Sequence, residues 1–151
     1  MADSIAEKII ANIKTTLEGV TVAAGYNNTV KVVYRDPLAA LDLQLYPAIF
    51  IAIGSDDTDP MAKSVSHRSL NFTLEIWIRR EKDISQAIES IRADVQKAMM
   101  VDVRRGANAV NTLERSSSYI LIMGEIPEAA VQIGYTVDYR TKIEDPFSAP
   151  A

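Results

Sequence analysis

Between Ser69 and Val101 the spacing of apolar residues changes once, from a period of two to the period of a helix. Leu70, Phe72, Leu74, Ile76 and Ile78 alternate with Ser69, Asn71, Thr73, Glu75 and Arg79, which places every large apolar side chain on one face of a strand. After Arg79-Arg80-Glu81-Lys82, residues Ile84, Ile88, Ile91, Val95 and Ala98 or Met99 recur at spacings of four and three, the stripe of an α-helix. Asp83 stands where an N-cap belongs, with Gln86 as its capping-box partner. A strand with one apolar face and a helix with one apolar stripe can each cover the other, and the rest of the chain is arranged around this pair.

Upstream, Ser4 to Leu17 predicts a first helix. Ile5, Ile9, Ile13 and Leu17 line one side, Ser4 and Glu7 form an S-x-x-E capping box, and Gly19 is the stop. Residues 21–29 form a connection with Gly25 and an Asn27-Asn28 turn signal. Val30, Val32 and Tyr34 alternate in a short strand closed by Asp36-Pro37. Leu38 to Tyr46, between two prolines, reads as a loop with a single helical turn. Pro47 to Ile53 is apolar without alternation, the pattern of a central strand covered on both faces. Gly54 to His67 and Asp102 to Ser118 are expected to be long polar loops, the kind that a compact domain keeps for function or movement. Tyr119 to Met123 is a strand, Gly124 to Glu128 a turn, and Val131, Ile133, Tyr135, Val137, Tyr139 and Ile143 a last alternating strand that pairs back as a hairpin.

The predicted order is α-β-β-β-α-β-β. It implies an α+β fold, with a largely antiparallel or mixed sheet and two amphipathic helices packed against it. Residues 1–143 read as a single domain, and 144–151, with two prolines, as a flexible C-terminal tail unless docked. A chain of 151 residues suits one core. With Lys+Arg 16 against Asp+Glu 20 it carries a net charge of −4, which disfavours a tight grip on nucleic-acid phosphates. No cysteine is present, which removes disulfides, thiolate metal sites and a cysteine nucleophile, and fits a reducing compartment. The start lacks the basic and apolar segments of a signal peptide, and no apolar run is long enough to span a bilayer.

Candidate chemistry is sparse. Asp56-Asp57-Thr58-Asp59 suggests a metal loop, but Pro60 follows and the distal glutamate of a calcium site is missing, so a solvated hairpin loop is expected. His67 is the sole histidine, with Ser64, Ser66 and Ser69 nearby and no nucleophile-elbow motif. Neither a dinucleotide fingerprint nor a P-loop occurs. No catalytic, cofactor or metal residue is therefore assigned. Arg79-Arg80 and Arg104-Arg105 are basic pairs, too thin for a nucleic-acid patch; they are solvated or pair with an acidic neighbouring subunit. Trp77 sits on the polar face of its strand and is covered by a second layer of this chain or by a partner. If the last strand lies at an edge, its Tyr135 and Tyr139 are open to the same use.

Together these pieces resemble the tail terminator proteins of tailed phages. The similarity runs over nearly the whole chain. It is carried by the helix Ile5–Leu17, the Pro47-Ala48-Ile49-Phe50-Ile51 strand with Gly54 and its acidic loop, and the Leu70–Ile78 strand feeding the Ile84–Met100 helix. The Asp102–Gly106–Ala107 loop and Val137-Asp138-Tyr139-Arg140-Thr141 complete it. The resemblance implies a structural virion subunit, not an enzyme and without cofactors. It implies a hexameric ring that caps the tail tube, ends its polymerisation and meets the head-completion or connector protein, with a sheath protein as a further partner if the tail is contractile. DNA would pass the lumen without specific binding, no membrane is involved, and the ring would sit at the tail and neck after assembly in the host cytoplasm. Expected interface residues are Trp77, Arg79, Arg80, Arg104, Arg105, Asp56, Asp57, Asp59, Tyr135 and Tyr139. Two alternatives stay open: another head–tail joining or tail-completion protein, and a small hydrolase or ligand-binding domain using His67.

The helix stripe supplies a direct test. Ile88→Asp should unfold the chain, because it buries a charge with no partner against the sheet. A variant whose thermal melt matches the parent would show that the stripe does not face a core.

Overall fold

A computed structural model describes residues 2–36, 45–59 and 64–150. The element order is α1 (Ile5–Glu18), a 3₁₀ turn (Val22–Ala24), β1 (Val32–Tyr34), β2 (Ala48–Thr58), β3 (Val65–Arg79), α2 (Ile84–Val101), β4 (Asn111–Ile122) and β5 (Glu128–Lys142). This is the α+β order expected from the sequence. The strands form one sheet in the spatial order β1-β2-β3-β5-β4. β1 runs parallel to β2, and every other pairing is antiparallel.

β3 is the centre of the molecule. Its fifteen residues pair with β5 along their whole length, from Val65 opposite Lys142 to Arg79 opposite Glu128. Leu70, Phe72, Leu74, Ile76 and Ile78 are all buried and meet Ile49 and Ile51 of β2 and Val131, Ile133, Tyr135 and Val137 of β5 on one face. The helices close this face. α1 brings Ile5, Ile9, Ile10, Ile13 and Leu17, and α2 brings Ile88, Ile91, Val95, Ala98 and Met99. Burying a side chain of this size stabilises by roughly 1.5–3 kcal/mol, so the stripe-on-sheet contact outweighs any single polar contact in the fold. Both helices share one side. The other face of the sheet carries Thr73, Glu75, Trp77 and Gln132, and no described helix lies over it.

Several local expectations need correction. Val33, not Val32 or Tyr34, points into the core from β1; Tyr34 lies on the far face and stacks on Phe50 at 5.2 Å. β2 does not end at Ile53. It continues as a ribbon to Thr58, while β3 begins at Val65. The polar residues there stay in strands because both ribbon faces meet water, and cross-strand bonds such as Asn71 Nδ2 to Asp57 Oδ2 (2.9 Å) replace apolar cover. Asn111 to Ser118, read as loop, is the first half of β4, an edge strand whose polar side chains are mostly exposed. β5, open to an edge position in the sequence, lies between β3 and β4. Of Leu38–Tyr46, where a loop with one helical turn was expected, residues 38–44 lie outside the described residues.

Helix ends show the same mixture. Ser4 caps α1 as expected, accepting from Glu7 N at 3.1 Å. Glu7 does not reach back; its carboxylate takes a bidentate pair of bonds from Arg35 at 2.6 and 2.9 Å. Asp83 precedes α2 in a left-handed conformation (φ 54°, ψ 36°) and makes no side-chain cap bond. That backbone aims the carboxylate away from the helix amides that an extended N-cap would meet. At the other end, Arg105 is fully buried and donates to the Met99 carbonyl and to Thr112 Oγ1 (3.2 Å). A guanidinium at a helix C-terminus satisfies an orphan carbonyl and opposes the negative end of the dipole. Burial nevertheless pushes its pKa down, with Asp102 and Tyr135 acting against that shift. Arg105, Gly106 and Ala107 all have positive φ (49°, 67° and 66°) and turn the chain from α2 into β4.

The Asn27-Asn28 turn is held by Asp94, which is buried on α2. Its carboxylate accepts from Asn27 N (3.2 Å) and Nδ2 (3.3 Å) and from Asn28 N and Nδ2 (both 2.8 Å). Residues 144–150 fold back on the body: Ile5 N donates to Pro146 O at 3.0 Å and Lys142 N to Ser148 O at 3.0 Å.

Asp94→Ala removes the acceptor of those four bonds, leaving, among the described residues, only Asn28 Nδ2 with a second partner, Ser90 Oγ at 3.0 Å. It should cost about 2 kcal/mol, read as a fall of roughly 4–8 °C in Tm. Glu7 gives a pH test. The bond from Arg35 holds its carboxyl below the usual range; burial opposes it to a lesser degree, and the Arg35 charge adds a smaller lowering. A depressed folded-state pKa means stability that is complete above the ordinary carboxylate value and lost as pH falls through the folded value. The stability gap between parent and Glu7→Gln should therefore be constant near neutrality and close on acidification in a pH series of melts.

Candidate interaction surface

Because β4 is an edge, its outer backbone groups face away from the sheet. Its second half is apolar and uncovered. Tyr119, Ile120, Leu121 and Ile122 are 51%, 44%, 54% and 44% exposed, and Met123 beyond them is 76% exposed. Alternate residues project to opposite faces, so apolar groups lie on both sides of the strand end. On the helix side, an open groove is lined by Ile88, Tyr119, Leu121 and Ala129, and the Tyr119 hydroxyl donates to Glu89 Oε2 at 2.6 Å. Exposed contiguous apolar surface of this kind marks an interaction site. From sequence, Tyr119–Met123 reads as an ordinary strand. An unbroken apolar run beside a polar half-strand was the available signal, but exposure depends on which strand becomes the edge.

The opposite edge is different. β1 covers β2 only from Ala48 to Phe50. Beyond it, no described strand pairs with the outer side of β2 from Ile51 to Thr58. That stretch carries Asp56 and Asp57, with Asp59 just after it. Ile53 is 46% exposed there, on the core side of the sheet but past the reach of the helices.

The expected interface residues divide by location. Asp56, Asp57 and Asp59 are on the exposed β2–β3 ribbon, and Arg80 and Arg104 are exposed at opposite ends of α2. Arg79 is half-buried and pairs with Glu128 at 3.3 Å. Trp77 is half-buried on the uncovered sheet face, with its indole N–H donating to Glu75 Oε1 at 2.6 Å. Three others lie inside the subunit. Arg105 caps α2, Tyr135 is 1% exposed and stacks on Phe72, and Tyr139 is 3% exposed with its hydroxyl on Asp56. The period of two that makes β5 a good strand also turns both tyrosines into the core. Burial raises both hydroxyl pKa values; for Tyr139 the bond to Asp56 adds to the rise.

Among the described residues, the groups singled out in the sequence as candidate chemistry take separate partners. Asp56 and Asp57 are successive strand residues and take different partners, Arg68 with Tyr139 on one side and Asn71 on the other. His67 is exposed; it lines a shallow cleft with Asp57, Asp59, Asp138 and Arg140. Ser69 gives its proton to Asp138 Oδ1 at 2.8 Å instead of to an imidazole, and Ser66, adjacent to His67 in the strand, faces the other way. Among the described residues, no helix is long and apolar enough to cross a membrane.

No curated protein matches. Among solved structures, a chain of the virion of the native gene transfer agent (GTA) particle aligns with 9% identity and a TM-score of 0.36, over 89% of this chain and 92% of that one. A family described as Bacteriophage Tail Tube Terminator Protein matches residues 2–119, from α1 through the start of the apolar end of β4. The match takes in both helices, β1 to β3, and most of β4, and the chain belongs to this family of structural phage tail proteins.

Proposed function

We propose that the chain is the subunit of a closed ring, taken to be a hexamer, that caps the tail tube and ends its polymerisation. Through the ring it presents a surface to the head-completion or connector protein, and to a sheath protein if the tail is contractile. It acts at the tail and neck of the virion after assembly in the host cytoplasm. The carrying observation is that one subunit leaves both edges of its sheet unpaired among the described residues, one apolar and one acidic. Two unlike edges favour a heterologous contact, and a heterologous contact that closes makes a ring. Trp77, Arg79, Arg80, Arg104, Asp56, Asp57 and Asp59 remain the proposed contact residues. A net charge of −4 suits a conduit through which DNA slides without being held. The role is one of shape, and no residue is assigned to catalysis.

Electron microscopy of tails assembled without the protein tests this role. Overlong tubes are the expected result. Tails of normal length that fail to join heads would instead favour a head–tail joining protein.

A further inference from the structure

The unpaired edges are complementary in direction, polarity and charge. Following residue pairing across the sheet, Ile120 lies level with Ala130, Trp77, Ala48 and Val32. The apolar half of β4 is therefore level with β1, beside the half-exposed Tyr34–Phe50 stack. The polar half of β4 is level with the open part of β2, since Thr112 aligns through Val137 and Leu70 with Asp56. Charge follows the same division. From Ile51 to Asp59 the β2 edge holds Asp56, Asp57 and Asp59 and no basic residue. Arg115, exposed on β4 and donating to Thr136 Oγ1 at 3.1 Å, lies level with Ile53 near the start of that stretch, and Arg104 stands in the turn before β4. The acid of that half-strand, Glu114, is already engaged by Gln96 Nε2 at 2.7 Å.

Direction is set by handedness. If a second copy continues the sheet with its helices on the same side, its β1 and β2 run the same way as those of the first. β4 runs opposite to β2, being antiparallel to β5, which is antiparallel to β3, which is antiparallel to β2. The new neighbours are then antiparallel, the arrangement that pairs backbone groups most favourably.

Resting on the ring proposed above, we infer that the seam between subunits is a β-sheet contact. The outer edge of β4 in one copy pairs antiparallel with the β1–β2 edge of the next, apolar half on β1 and polar half on the acidic stretch of β2. The occupant of the apolar end of β4 is thus a second copy of this chain, and the sheet runs continuously round the ring. Edge-to-edge addition is a recurrent way for a strand to gain a partner.

The chain has no cysteine, so any disulfide in a double variant is the engineered one. Ser116 and Ala52 lie level on the same face of the sheet, through Gly134 and Thr73. Ser116→Cys combined with Ala52→Cys, or with Ser55→Cys to allow for stagger, should form intersubunit disulfides on oxidation of assembled tails. A denaturing gel should then show a ladder from dimer to the closed ring. In parallel, Arg115→Glu should weaken ring formation by about tenfold or more. Circular dichroism melts of each variant confirm folding. Rings that persist in Arg115→Glu without cross-linking in either cysteine pair overturn the seam and leave the ring intact. A two-fold dimer cross-linked through Ser116→Cys alone overturns it in favour of β4 pairing with β4. Tails that hold only isolated copies overturn both the seam and the ring.

Discussion

Everything in this subunit depends on one layer of helices covering one face of one sheet. The apolar stripes of α1 and α2 and the inward face of β2, β3 and β5 bury each other, and this contact fixes the register of every strand. A slip of one residue in β3 would turn Leu70, Phe72, Leu74, Ile76 and Ile78 to the far side and Glu75 and Arg79 inward. The energetic cost of such a slip is why the long β3–β5 pairing is regular along its whole length.

The same constraint leaves surfaces over. Two helices cannot cover a five-stranded sheet from edge to edge, and they cover none of its second face. The uncovered parts are filled in different ways. On the far face, small and polar residues satisfy one another: Asn71 accepts from Thr136 at 2.7 Å, Glu75 bonds Trp77 and Gln132, and Arg115 bonds Thr136. At the end of β4, apolar side chains are simply left in water. An assembly subunit has a use for such a site, because surface hidden only after association drives that association.

Polar contacts here act as locks on geometry. Asp94 ties the turn after α1 to α2, and Arg105 closes the end of α2 and meets Thr112 at the start of β4. Asp94 meets backbone and side-chain groups from a distant part of the chain, whereas Arg105 meets Met99 and Thr112 close by in sequence. By this means the start of β4, although at an edge, is held in a defined position.

What the sequence determined alone was whatever depends on periodicity. The two helices, the inward face of β3, the hairpin of β4 with β5 and the α+β order follow from which residues recur every second or every third and fourth position. Tertiary structure decided what periodicity does not encode. Asn111–Ser118 and Gly54–Thr58 are polar and lack a pattern, yet become strands because β5 and β3 offer them hydrogen-bonding edges. Tyr135 and Tyr139 lie inside because β5 is central, while Tyr119–Met123 lie outside because β4 is not. An apolar strand looks the same in sequence at the middle of a sheet and at its rim. Only the assembled neighbours determine which side chains water can reach, and so where the surface available to a partner lies.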